Sequence, residues 1–445
     1  MQSDNFLIQT IDNLAQKTYK PTEPGAAVIV VSKGKVIFRK SYGMANLELG
    51  VPIEPDMVFR LGSLTKQFTA VAILMLAEQG KLTLDDPITK FLINYPTHDH
   101  LITIEDLLTH SSGIRSYTDM PEWLPLWRKD FKLQELIDLF KYQPMQFAPG
   151  KRWAYNNSGY ILLGAIIENL SGQTYEQFIQ QNIFDRLGMR HSYYDNPLRI
   201  IPQRVSGYDK GPEVYTNADY LSMTQPYAAG ALASTVDDLA IWDMALYTEQ
   251  LLKQELLQRA FIAYRLLGGS SAFYGYGWAI SEYEGCQLIE HGGGIHGFRT
   301  YAIRVPDERV FVAVLSNNGG VDPGLLAFQI AALTIGKPYE EPTPVAVSAE
   351  SLARYEGVYQ TQTADKRYIT REDNRLFVQF GQENPRFELI PFSSNEFFWK
   401  DDPLYHLSFV SDANGDIKTL EICGRYGIPE IAGKVDHSTE GDRTL

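Results

Sequence analysis

The chain has 445 residues, 44% hydrophobic and 21% charged, with a formal net charge of -14; this balance fits a globular protein with a sizeable core and excludes collagen-like, coiled-coil and disordered readings. A field of that sign repels phosphate backbones and no basic stripe overcomes it locally, so nucleic acid is not expected as a partner. Cys286 and Cys423, the only cysteines, are far apart and in no metal-like spacing, which indicates neither a disulfide framework nor a zinc site.

The opening MQSDNFLIQTIDNLAQK reads as a polar helix. Its acidic and polar residues stand where an export signal needs a basic start and an apolar run. The letters therefore support a cytoplasmic chain, or a periplasmic or secreted one if a signal peptide has been removed. AAVIVVSKGKVIFRKSYG predicts two strands joined in a hairpin at Lys33-Gly34. From Ser63, SLTKQFTAVAILMLAEQG is apolar nearly all round and closes on Gly80, which predicts a buried central helix. Its most apolar stretch, Ala70 to Ala77, falls well short of the roughly 18 residues of a membrane span, and none is expected. Thr103 with Asp106, and Ser234 with Asp237, read as capping boxes that start helices in the middle of the chain. GCQLIEHGGGIHGFRTYAIRVPDERVFVAVLSN then alternates β-rich runs with turns, and the chain returns to the sheet.

These elements place a first domain of sheet, helices and sheet over residues 1–336. Residues 337–350, with the proline-rich KPYEEPTPVAV, predict an extended linker. Over residues 351–445 the short runs RYEGVYQ, RLFVQF, EFFWK and HLSFVSD show no helical period and predict a small antiparallel barrel, with a tail that frays beyond Gly433.

Three short motifs carry candidate chemistry. Ser63 and Lys66, three apart at a helix start, share one face, with Ser63 near the positive end of the dipole. Lysine can take a serine proton only if its pKa falls from about 10.4 toward 7 or 8, a bias of roughly 4 kcal/mol that burial can supply. Ser32 and Lys35 match the same spacing in a hairpin turn, so the pattern alone equally describes an ordinary helix start. Tyr155-Asn156-Asn157 follows a Pro-Gly turn and precedes an apolar helix; Tyr155 is suited to relay a proton and Asn157 to hold Lys66 and a substrate amide. Tyr194-Asp195-Asn196 and Tyr215-Thr216-Asn217 repeat that tripeptide, which also suits a packed tyrosine. In His291-Gly292-Gly293-Gly294 the glycines allow close backbone approach, so that Gly294 N–H paired with Ser63 N–H would form an oxyanion hole. A satisfied surface histidine is the plain alternative for His291.

In order, SLTK, YNN and HGG resemble the serine β-lactamase and penicillin-binding protein superfamily, in the branch of class C β-lactamases, D-alanyl-D-alanine carboxypeptidases and related esterases. The resemblance runs from about Gly25 to Ile335 and includes LLTHSSGI and AGALASTVDDLAIW. It implies an α+β fold, a five-stranded antiparallel sheet with flanking helices and an all-helical lobe, with the site between them. It also implies Ser63 as nucleophile, Lys66 as base and Tyr155 as proton relay. Asn157, His291, Gly293 and Gly294 are the implied substrate-binding groups, with no metal or cofactor. Where relatives often carry threonine this chain has Gly292, and Arg299 is the residue that would compensate for the missing hydroxyl. From Ser348 the tail resembles the lipocalin-like barrels that some of these hydrolases append. The expected function is hydrolysis of amide or ester bonds of a small molecule or short peptide through an acyl-enzyme on Ser63, by a D-stereospecific peptidase, carboxypeptidase or esterase. A β-lactamase is the alternative within the hydrolases, and a non-hydrolytic penicillin sensor or apolar-ligand carrier is the alternative outside them. Oligomeric state stays open.

Overall fold

The computed structural model describes residues 2–361, 365–382, 384–424 and 429–435. The chain forms two compact units, Met1–Pro338 and Tyr339–Leu445.

In the first unit, helix α1 (Gln2–Thr18) leads into strands β1 (Ala26–Ser32) and β2 (Lys35–Tyr42). The turn between them has Lys33 and Gly34 at positive φ, the backbone that a two-residue hairpin demands. Helix α2 (Thr65–Glu78) is buried continuously from Thr65 to Leu76, as its apolar circumference requires. The middle of the chain adds α3 (Asn157–Ser171) and α4 (Val236–Ala245), and four strands follow: β3 (Ala279–Tyr283), β4 (Cys286–Ile295), β5 (Phe298–Val305) and β6 (Val310–Ser316), before α5 (Gly324–Thr334). The strands order β3-β4-β5-β6-β1-β2 with antiparallel neighbours.

The sheet therefore has six strands where five were expected. The extra one, β3, reaches β4 through a Glu284-Gly285 turn with both residues at positive φ, a hairpin signal that lay just ahead of the stretch read as sheet. Ala27, Ile29 and Val31 of β1 join Ala313 and Leu315 of β6 in one core with α2. By strand alternation Val28, Val30, Val312 and Val314 face the other layer, where α5 packs on β5 and β6 and against α1.

The Thr103–Asp106 capping box forms as expected. The second lies one residue further on: Thr235 accepts from Asp238 N. Ser234 instead bonds the Ser192 hydroxyl, and Asp237 pairs with Arg39. Asp238 is drawn inward because its carboxylate accepts from His191 N and Ser192 Oγ.

In the second unit a one-turn helix, α6 (Ala349–Ala353), capped by Ser348, stands where only linker and strands were expected. A closed antiparallel barrel follows: β7 (Gly357–Thr361), β8 (Lys366–Glu372), β9 (Arg375–Phe380), β10 (Arg386–Pro391), β11 (Glu396–Trp399), β12 (Asp402–Ser411), β13 (Ile417–Cys423) and β14 (Pro429–Lys434). Alternate residues, among them Tyr359, Val378, Leu389, Phe397, Leu407 and Leu420, fill its interior together with Leu352 of α6 and Tyr355. Of the tail expected to fray beyond Gly433, Lys434 instead ends β14, and residues 436–445 lie outside the described residues.

Between β5 and α4 the first unit buries an ion pair, Arg304 Nε to Asp243 at 2.8 Å with side chains 4% and 6% exposed. Removing one partner of such a pair strands the other charge away from water. Asp243→Asn should lower the unfolding free energy by about 3 to 5 kcal/mol in urea titration; a loss under about 1 kcal/mol would mean that the pair is solvated like a surface one.

Candidate active site

The turn Leu61–Leu64, which carries Ser63 into α2, is pinned from two sides. Leu61 N donates to Leu232 O at 2.8 Å, and Thr300 Oγ1 of β5 donates to Leu61 O at 2.7 Å. The third motif runs directly against this turn. A β-carbon at Gly293 would stand 2.1 Å from Leu61 O, so only glycine lets β4 come this close; one at Gly62 would stand 3.0 Å from Gly294 N. Ser63 and Gly294 thereby line one cleft.

Lys66 is wholly buried, and its Nζ lies 2.8 Å from Asn157 Oδ1, 2.9 Å from Ala229 O and 3.2 Å from Ser63 Oγ. Its other neighbours are the rings of Tyr155 and Tyr160, 4.7 and 5.4 Å from Nζ. Burial pushes its pKa well below the ordinary lysine value, which favours the amine more than in an exposed lysine. A neutral amine has two N–H bonds and one lone pair. Asn157 Oδ1 and Ala229 O can only accept, so they take the two donors and the lone pair is left for the Ser63 hydroxyl.

Asn157 is set by the start of α3. Asn156 caps the helix through Gly159 N, Asn157 N donates to Ser116 Oγ, and Asn157 Nδ2 donates to Thr118 Oγ1. With the amide nitrogen so engaged, the oxygen faces Lys66. Tyr155, the residue before the cap, places its buried hydroxyl beside Ser63 without a hydrogen bond of good geometry. Burial raises its pKa and keeps the phenol protonated.

His291 is also buried. Its Nδ1 lies 2.5 Å from Gly292 O and its Nε2 lies 2.8 Å from Tyr274 Oη. A carbonyl only accepts, so Nδ1 carries the proton and Nε2 accepts from the tyrosine. Both ring nitrogens are thus engaged within the protein. Arg299, directly opposite Gly294 in the β4–β5 ladder, is exposed. A β-carbon at Gly294 would stand 2.3 Å from its Nη1, so the guanidinium lies in the space that the glycine leaves. It lines a recess with Gly292, Tyr301 and Asp322 beside the cleft that holds Ser63, Asn157 and Gly294.

The other matches to the motifs fall elsewhere. Ser32 and Lys35 flank the first hairpin, Asp195 is held by Arg60 and Arg204, and Tyr215–Asn217 is a short strand. His110, Tyr274 and Ala229 are among the site residues that escaped the sequence reading. His110, within LLTHSSGI, packs its ring 4.5 Å from Tyr155 and 4.6 Å from Tyr274. Its Nδ1 accepts from Asn156 N, while Nε2 is buried without a partner. Tyr274 comes from a loop with no motif. Ala229 acts through its carbonyl, and a backbone contact leaves no mark on side-chain pattern.

The family described as Beta-lactamase matches residues 9–334. The chain is 30% identical over 397 residues to penicillin-binding protein 4* of Bacillus subtilis, covering 83% of this chain and 87% of that protein. It is 28% identical over 322 residues to a D-aminopeptidase of Gluconobacter oxydans, covering 71% of this chain and 60% of the relative. Among solved structures, the octameric penicillin-binding protein homologue from Pyrococcus abyssi superposes with a TM-score of 0.67 at 27% identity, over 96% of this chain and 99% of that one.

Burial holds His291 down to about 3 and His110 well below the ordinary histidine value; in both, loss of water is the largest cause. As pH falls through about 6.5 the unfolded chain binds protons that the folded one refuses, so the stability from the neutral rings is complete above that pH and declines toward pH 3. The urea midpoint should therefore fall on acidification from neutrality, with a shallower slope in His110→Gln and His291→Gln. Slopes equal to the parent's would show that neither ring is held neutral.

Proposed function

The chain belongs to the Beta-lactamase family of serine hydrolases, and from that premise we propose that it cleaves amide or ester bonds of small substrates through an acyl-enzyme on Ser63. The observation that carries this reading is the buried Lys66 Nζ, 3.2 Å from Ser63 Oγ, with its pKa lowered by burial. Lys66 accepts the hydroxyl proton as Oγ bonds to the substrate carbonyl. The N–H groups of Ser63 and Gly294 receive the developing oxyanion. Tyr155, protonated and beside Ser63, passes a proton to the departing amine or alkoxide and is resupplied from the Lys66 ammonium. The carbonyl–heteroatom bond breaks, leaving an ester on Ser63. Water then takes the leaving group's place, and the same proton route runs in reverse to restore the serine.

His291, with both ring nitrogens engaged, serves by holding the edge of β4. The resemblance to a D-aminopeptidase favours amides of D-amino acids or short D-peptides among the substrates. Arg299, lying over Gly294, supplies charged N–H donors in place of the hydroxyl donor that a threonine at Gly292 would offer a substrate carboxylate.

Incubation with an activated ester followed by intact-protein mass spectrometry should reveal an acyl adduct in the parent and none in Ser63→Ala. Tyr155→Phe should slow acylation by about 10²- to 10⁴-fold. Because burial lowers its pKa well below the ordinary lysine range, Lys66 should give kcat/KM an acid limb, activity rising as the amine deprotonates at a pH well below that of an ordinary lysine. A limb near pH 10 would overturn Lys66 as base.

Arg299→Ala should raise KM for substrates with a free carboxylate by roughly tenfold or more, with much less effect on their methyl esters. Equal losses on both would remove the carboxylate role.

A further inference from the structure

Resting on the reading of Ser63 as the acylated residue, we propose that one wall of the cleft is a subsite for a flat, uncharged apolar group on the acyl side of the substrate, with Trp123 setting the preference. The cleft has a cavity volume of about 120 Å³, and none of its lining side chains is Asp, Glu, Lys or Arg. Tyr117, Trp123, Leu221, Pro226 and Ile295 make up its apolar wall.

This wall is built, and not merely apolar. Trp123 Nε1 donates to Gln225 Oε1 at 2.7 Å, and Tyr117 Oη donates to Gln225 O at 2.8 Å. Gln225 is fully buried, and its Nε2 donates to Leu126 O and Lys129 O. The polar atoms of both rings are thus satisfied within the protein, so the faces toward the cleft are carbon. The two rings meet edge to face with centroids 5.6 Å apart, which fixes the orientation of the indole. Four residues beyond Gln225, Ala229 holds Lys66 through its carbonyl, so wall and base hang on one segment. A charged group against these five side chains would lose water and meet no free polar group on them, whereas a ring would bury apolar surface.

The test compares p-nitrophenyl phenylacetate, p-nitrophenyl acetate and the para-carboxylated phenylacetate, which differ only in the acyl group. In the parent, kcat/KM for phenylacetate should exceed that for acetate by roughly tenfold or more, and the added carboxylate should remove most of that advantage. In Trp123→Ala the phenylacetate-to-acetate ratio should fall by about tenfold or more, and Trp123→Phe should keep most of it. A parent ratio near one, or a ratio unmoved in a Trp123→Ala protein that melts like the parent, overturns the subsite. Calorimetric titration of Ser63→Ala with phenylacetamide and with acetamide reads the same wall without chemistry, and only the first should bind. Binding discrimination with no ester turnover in the parent would sink the acyl-enzyme and leave the subsite standing. Equal binding, or none, would sink the subsite whatever the turnover.

Discussion

The site depends on one desolvated amine. Lys66 is enclosed by α2, the start of α3 and the Ala229 carbonyl, with two acceptors, a hydroxyl and two aromatic rings within reach. A carboxylate in that shell would stabilise the ammonium and end its use as a base. The environment is amide and ring instead, and it favours the form with a free lone pair. The neutral state of the neighbouring histidines has the same origin, since burial is the largest cause of the lowered pKa of His110 and His291.

The fold satisfies this condition by bringing distant segments into contact through backbone. β4 reaches the Ser63 turn because Gly293 has no side chain there. The Ala228–Ala229 segment is tied to α2 by two carbonyls, one accepting from Thr69 and one from Lys66. Asn157 and Gln225 each use a carbonyl and an amino group in opposite directions, so each fixes a neighbour at both ends. Such doubly used amides order a cleft without introducing charge.

Much of this was legible beforehand because it rests on local pattern. The Lys33-Gly34 turn, the apolar circumference of α2 and the Thr103 cap follow from residues close in sequence, and the antiparallel barrel from alternating runs. Ser63 and Lys66 lie three apart, so their meeting needed no tertiary knowledge. Joining them to Asn157 and Gly294 rested on resemblance. What escaped was tertiary or backbone in origin. The cap at Thr235 shifted by one residue because Asp238 found buried donors at His191 and Ser192. The strand Ala279–Tyr283 had too little alternation to stand out from its loop. Ala229 contributes an atom that every residue has, and Trp123 faces the cleft only because a buried glutamine turns its nitrogen away.

The two units treat strand edges in opposite ways. The barrel closes on itself and leaves none. In the sheet, β3 covers β4 only as far as Glu290, so from His291 onward one side of that strand has no strand partner among the described residues. Long open edges recruit other chains and seed aggregation. Here the open stretch is five residues, three of them glycine, running along the turn that bears Ser63. It is too short and too confined for another folded sheet to continue, yet an extended backbone a few residues long could lie along it. The same break in pairing leaves a free edge too short for a second sheet to continue.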